Sequence, residues 1–186
     1  ALEKVGLADK VLNDAIPMNG RMMHSTQGEL TYQPYGKQGQ YINSVSRSLL
    51  NIKLLELADA YENVNLYFKH KCTDVNLNTN TAVLVDENGN SKTITADIIF
   101  GSDGAWSAVR NEMQKTNRFT YSQTYENYGY KELEIVPGPN SSFQIEENAL
   151  HIWPRGEFMM IALPNPSGNF TCTLFLPYEG PNSFET

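Results

Sequence analysis

From about residue 118 onward the chain runs in long, aromatic-rich segments that alternate apolar and polar residues and are cut by proline and glycine. The segments are 121–136, 149–153, 157–163 and 169–176. Between them lie Pro137-Gly138-Pro139, Pro154-Arg155-Gly156 and Pro164-Asn165-Pro166-Ser167-Gly168. Alternation of period two puts successive side chains on opposite faces, and such turns reverse the chain, so this part reads as an antiparallel sheet. Residues 20–27 and 29–35 read as two more extended segments joined through Gly28, with Pro34, Gly36 and Gly39 punctuating the loop that follows.

The remaining stretches have a different texture. Leu2, Val5, Leu7, Val11 and Leu12 recur at near-helical spacing and predict a helix over 1–14. Leu50, Leu54, Leu57 and Tyr61 form an apolar stripe that predicts a helix over 47–61, with Ser44 or Ser46 as its N-cap. Residues 63–68, 73–77 and 81–85 read as strands, and Glu87-Asn88-Gly89-Asn90 as a turn. The continuous apolar run 96–101 reads as a strand buried on both faces, leading through Ser102-Asp103-Gly104 into a short helix over 106–113. The expected fold class is α+β, an α/β Rossmann-like part interwoven with a mostly antiparallel sheet. Residues 1–14 and 44–117 are assigned to the α/β part, and 15–43 with 118–186 to the sheet.

Composition removes several classes of function. Of the 186 residues 40% are hydrophobic, enough for a core, and the formal charge of -7 disfavours a nucleic-acid partner. The longest apolar runs fall far short of the roughly 20 residues a membrane helix needs. The first residues carry no signal-peptide layout, so a cytoplasmic location with Cys72 and Cys172 as reduced thiols is expected. His24, His70 and His151 stand isolated from one another in sequence, and no metal site is expected.

Three features invite chemistry, each with a plainer alternative. Asp103 sits after the apolar run and before a helix, where α/β sheets bind ligands, and Gly104 lets a backbone approach closely; on Asp and Gly alone, an ordinary strand–turn–helix with Asp103 as N-cap is the favoured reading. Arg47 lies in the first turn of its helix, where the macrodipole disfavours a cation unless an anion is near; a side chain simply extended into solvent is the alternative. Alternation puts Leu150 and Ile152 on one face of their strand, Met159, Ile161 and Leu163 on one face of the next, and gives Phe175 the same potential on the third. These residues are a ligand wall or core. His151 and Trp153 point the other way and are assigned structural roles.

The stretch Gly101-Ser102-Asp103-Gly104-Ala105-Trp106-Ser107-Ala108-Val109-Arg110 resembles the Asp-Gly motif, DGxxSxxR after an apolar strand, of the flavoprotein aromatic hydroxylases. Further segments narrow the likeness: Gly20-Arg21-Met22-Met23-His24-Ser25, Pro34-Tyr35-Gly36, Gly129-Tyr130-Lys131-Glu132-Leu133 and Leu150-His151-Ile152-Trp153-Pro154-Arg155. Together with 158–165 and 170–175 they make the whole chain similar to the kynurenine 3-monooxygenase family. The resemblance implies FAD as cofactor, NADPH and O2 as co-substrates, and hydroxylation of L-kynurenine. It implies that Asp103, with Gly104, helps bind FAD and NADPH, that Arg47 contacts FAD, and that the backbone at Cys72 passes the adenine. It also implies that Arg21 and Tyr35 hold the substrate carboxylate, an Arg fork and a phenol donor being suited to that group. On the residues alone, Arg21 reads as a surface strand residue and Tyr35 as a packed turn aromatic.

No side chain is assigned a catalytic role in the strict sense, because the substrate's amino group activates its own ring. The chain has no glycine-rich pyrophosphate turn and no downstream Gly-Asp motif. It is therefore expected to be an internal piece of a longer enzyme, holding FAD weakly and inactive by itself. Two other readings stay open: a flavoprotein oxidoreductase acting on a different aromatic acid, and a stand-alone ligand-binding domain.

Overall fold

The proline- and glycine-marked turns of the last third reverse the chain, and the segments between them pair as antiparallel neighbours. In the computed structural model, which describes residues 2–185, helix α1 (Ala8–Leu12) is followed by β1 (Ile16–Met18), β2 (Gly20–His24), β3 (Leu30–Pro34) and β4 (Ile42–Ser44). Helix α2 (Arg47–Asp59) comes next, then β5 (Lys71–Asn76), β6 (Thr81–Val85), β7 (Ser91–Thr95) and helix α3 (Ala108–Gln114). The chain ends with β8 (Tyr128–Ile135), β9 (Ala149–Arg155), β10 (Phe158–Pro164) and β11 (Phe170–Pro177). The fold is α+β.

Residues 1–60 and 125–186 form one compact unit, and residues 61–124 a second. The first is built on a six-stranded sheet in the order β3-β2-β9-β10-β11-β8, with β1 and β4 paired separately. Every neighbour in the large sheet is antiparallel except β2 and β9, which run parallel from Gly20 opposite Ala149 to Met23 opposite Ile152. One face is the packed one. Ala162, Phe170 and Cys172 are fully buried there, with Ile135, Phe143, Ile145, Trp153 and Met160 against them. Alternation along β10 and β11 sends their other residues to the opposite face. Helix α2 starts where Ser46 accepts a hydrogen bond from the Leu49 amide, so Ser46, not Ser44, is the cap. Ser44 is buried and instead donates to the Pro164 carbonyl.

The second unit carries the antiparallel sheet β5-β6-β7, with α3 packed on β5. Its 86–90 turn is built by the Asp86 carboxylate, which accepts from the amides of Asn88 and Asn90 and from the Asn90 side chain. The bond from the Asn90 side chain is the main reason the Asp86 carboxyl titrates below its usual range.

Several expectations need correction. The helix over 1–14 is a 3-10 turn at Leu2–Val5 and the short α1, because Gly6 adopts a positive φ of 70° between them. Residues 63–68 form no strand. The apolar run 96–101 is not a buried strand: no strand among the described residues pairs with it, and Ile98 and Phe100 are exposed, Phe100 at 87%. The chain leaves β7 at Ala96, whose amide donates to the Asn80 carbonyl, and runs on unpaired. Of 121–136, only Tyr128–Ile135 is strand. His24 and His151 are not isolated, since the parallel pairing of β2 with β9 joins them by a hydrogen bond of 2.8 Å. Among the described residues no helix is long and apolar enough to cross a membrane.

Candidate functional site

The register of the large sheet sorts the residues singled out in the sequence. Directly opposed residues share a face, so Thr31, Met23, Ile152, Ile161, Thr173 and Glu132 form one row across all six strands. Arg21, Leu150, Met159, Leu163 and Phe175 lie two residues from that row on their strands and therefore on the same face. It is the face opposite the packed core. Leu150, Ile152, Ile161, Leu163 and Phe175 are half-buried, and Met159 is 40% exposed. His151 and Trp153 occupy the other face.

At the β2 edge the Arg21 guanidinium lies 5.2 Å from the centre of the Tyr35 ring. Tyr35 is held there by its amide, which donates to the Asn19 carbonyl. Its hydroxyl oxygen is buried and has no hydrogen-bond partner. A buried phenol that leaves its donor unused costs free energy unless a ligand takes the bond. An Arg fork over that ring and a free hydroxyl beside it make a corner suited to a carboxylate. From β2 across β9 to β10 is about 10 Å, which a flat aromatic amino acid can span with its carboxylate at this corner.

At the other side of the same face, α2 and the sheet enclose a groove of about 820 Å³. Its walls include Ser46, Arg47 and Asn51 from the start of α2, and Leu163, Thr173 and Glu132 from the strands. Arg47 is 87% exposed and reaches Glu132 at 3.5 Å. An exposed pair of this kind contributes about 0–1 kcal/mol, so the guanidinium is free to take a better anion. Glu132 escaped notice in the sequence. Alternation along 130–134 puts it on one of two faces, but only the pairing with β11 says which.

In the second unit the Asp-Gly stretch folds onto itself. The Asp103 carboxylate accepts the Ser107 hydroxyl proton and the amides of Ala108 at 2.7 Å and Val109 at 3.3 Å. Ser107 Oγ in turn accepts from the Arg110 amide at 2.9 Å, and the Arg110 guanidinium reaches back to the carbonyls of Gly104 and Ala105. Asp103, Ser107 and Arg110 thus interlock one loop, which is a physical reason for that spacing. The Ser107 bond, above all, holds the Asp103 carboxyl below the usual carboxylate range. The N-cap of α3 is thus Ser107, and Asp103, four residues upstream, adds bonds to the first two amides of the helix. The Asp103 charge also faces a small hollow lined by Gly101, Gly104, Ser107 and Arg110.

Gly104 adopts φ 77° with open space around its α-carbon, so both a turn requirement and close access are met there. Gly101 is the glycine not picked out in the sequence: a Cβ on it would lie 2.8 Å from that of Val109. Cys72 is half-buried on β5, and burial, with the Asp103 charge second, pushes its thiol pKa up, which does not suit a reactive thiol.

The FAD binding domain family matches residues 1–168. The chain is 48% identical to the kynurenine 3-monooxygenase of Myxococcus xanthus over 186 residues, covering 99% of this chain and 40% of that protein. To the kynurenine 3-monooxygenase of Dictyostelium discoideum it is 50% identical, covering 100% of this chain and 40% of the relative. For that of Sus scrofa the identity is 46%, over 96% of this chain and 38% of the relative. The chain thus spans about 40% of the length of the first of these curated relatives. Among solved structures, p-nitrophenol 4-monooxygenase PnpA from Pseudomonas putida superposes with TM-score 0.73 at 13% identity, over 97% of this chain and 46% of that one. Klebsiella pneumoniae HpxO complexed with FAD and uric acid gives 0.66 at 17%, over 97% of this chain and 45% of that one. At such identities the likeness speaks for the fold.

Proposed function

The chain belongs to the FAD binding domain family, and from that premise we propose that it is part of an NADPH- and O2-dependent flavin monooxygenase that hydroxylates L-kynurenine to 3-hydroxykynurenine. The observation that carries this reading is the corner at the β2 edge. There a guanidinium and an unpartnered buried phenol adjoin an apolar sheet face. The identity of 46–50% to proteins named for this activity supports the substrate class.

In this reading Arg21 pairs with the α-carboxylate and Tyr35 donates its unused hydroxyl proton to it. Leu150, Ile152, Met159, Ile161, Leu163 and Phe175 give the aniline ring a dry floor, which fixes its plane and excludes water. The chain's residues fit FAD as well. The α2 groove has the size of a cofactor cleft, and Arg47 has donors to spare for a phosphate. The second unit, taken by itself, would offer FAD the backbone near Cys72 and the Asp103–Gly104 loop. FAD held by these residues would supply the redox and oxygen-transfer chemistry, with NADPH as the electron source, one atom of O2 going to the ring carbon beside the amino group and the other leaving as water. No side chain of this chain acts as nucleophile or general base in that scheme.

The test is made on the full-length protein with NADPH. L-Kynurenine is expected to accelerate NADPH oxidation and to yield the 3-hydroxy product; identical oxidation rates with and without it would overturn the reading. Arg21→Ala is expected to weaken L-kynurenine binding about ten- to hundredfold, the value of charge-assisted hydrogen bonds to one carboxylate. Its affinity for 2-aminoacetophenone, which has the aniline ketone and no carboxylate, should stay near the wild-type value.

A further inference from the structure

Strand β2 carries Arg21, and β3 hangs on β2 at the sheet edge, so the carboxylate corner joins the rest of the sheet through β9. Two sets of contacts pin β2 to that neighbour. At its start the Asn19 amide donates to the Asn148 carbonyl at 2.8 Å, and the Asn148 side chain donates to the Pro17 carbonyl at 2.9 Å. At its end the Arg155 guanidinium donates to the His24 carbonyl at 2.9 Å, and His24 Nε2 lies 2.8 Å from His151 Nδ1.

The histidine contact has a defined direction. His151 Nε2 is 2.7 Å from the Glu146 carbonyl, which can only accept, so that nitrogen carries the proton. A neutral His151 then presents Nδ1 as an acceptor, and His24 Nε2 is the donor. His151 is fully buried, and the His24 ring stacks on Trp153 with centres 4.0 Å apart. Burial lowers the pKa of both imidazoles, which keeps the acceptor nitrogen free of a proton.

We propose that His24 and His151 are positioning residues for substrate recognition: their bond, on the core face, locks the end of β2 onto β9 and thereby sets Arg21 opposite Leu150 on the ligand face. The inference rests on the kynurenine reading for its ligand, while the mechanical part stands on the sheet alone. His24→Phe keeps a ring on Trp153 and removes the donor; His24→Gln restores an N–H at the place of Nε2.

In the full-length, FAD-loaded protein, His24→Phe is expected to weaken L-kynurenine about five- to tenfold, a part of the Arg21 contribution lost when β2 no longer holds the guanidinium in place. 2-Aminoacetophenone should bind within about twofold of wild type, since one displaced Arg contact is all that changes. His24→Gln should recover most of the loss, and His24→Phe should add nothing in an Arg21→Ala background. Amide exchange of β2 should quicken in His24→Phe while that of β10 and β11 stays the same.

Equal loss of both ligands would reduce the pair to a merely structural role and overturn the proposal, as would unchanged β2 exchange. If the wild-type protein bound no L-kynurenine, the kynurenine reading would fall and the substrate part of this proposal with it, while β2 exchange would still judge the lock.

Discussion

At the scale of single residues, His151 ties stability to pH. Its folded-state pKa lies below the ordinary 6.5 because burial disfavours the imidazolium. Unfolded chains therefore bind more protons than folded ones once the pH drops below 6.5, so stability is full above that value and declines as the solution is acidified through it. Thermal melts from pH 7.5 downward should show a falling midpoint, and His151→Gln should flatten that slope. An equally steep slope in the variant would assign it to other groups. Few of these residue-scale facts were readable in advance. His24 and His151 lie 127 positions apart, and no local pattern says that two such side chains meet. Arg21 and Tyr35 were reached through family likeness alone, although their guanidinium–ring contact is plain once the strands are in place.

Elements were more legible, and the reason separates those found from those missed. Alternation and helical stripes are properties of a segment by itself, so β9, β10, β11 and α2 could be drawn from the sequence nearly to their ends. A strand also needs an edge that accepts its backbone groups. The runs 63–68 and 96–101 have strand-like composition and no such partner among the described residues. The α3 element depends on one close approach. A Cβ at Gly101 would stand 2.8 Å from the Val109 Cβ and 2.9 Å from its Cγ1. The Val109 Cβ is fixed to its backbone and cannot swing away, so Gly101→Ala must displace the helix or the loop, at about 1–3 kcal/mol. Urea denaturation measures this, and Val109→Ala in the same chain, which removes the methyls but keeps Cβ, should recover part of it. A midpoint equal to wild type would mean that the loop yields at no cost.

For the molecule as a whole, the two units differ in how much they bury. The first unit has Met18, Ala149, Ala162 and Phe170 fully out of water, whereas residues 61–124 bury chiefly Val75, Ala82 and Ser107. Local opening free energy follows buried apolar contact. Amide exchange in β5, β6 and β7 should accordingly run faster than in β9, β10 and β11; equal protection would contradict that ordering. The α+β class and the opposed faces of the sheet were readable because alternation carries them. The partners of β2 were not, because register across a long separation leaves no mark in either strand.

That parallel seam between β2 and β9 also has a consequence in time. A nascent chain makes β2 and β3 early, yet their sheet neighbour is not synthesised until well over a hundred residues later. The β9–β10 and β10–β11 hairpins can close locally and fast, but the β2–β3 hairpin has to wait and then be captured across a long loop. Until then it offers an unpaired edge to other chains, so the corner of Arg21 and Tyr35 is expected to assemble late and to be open to aggregation on the way.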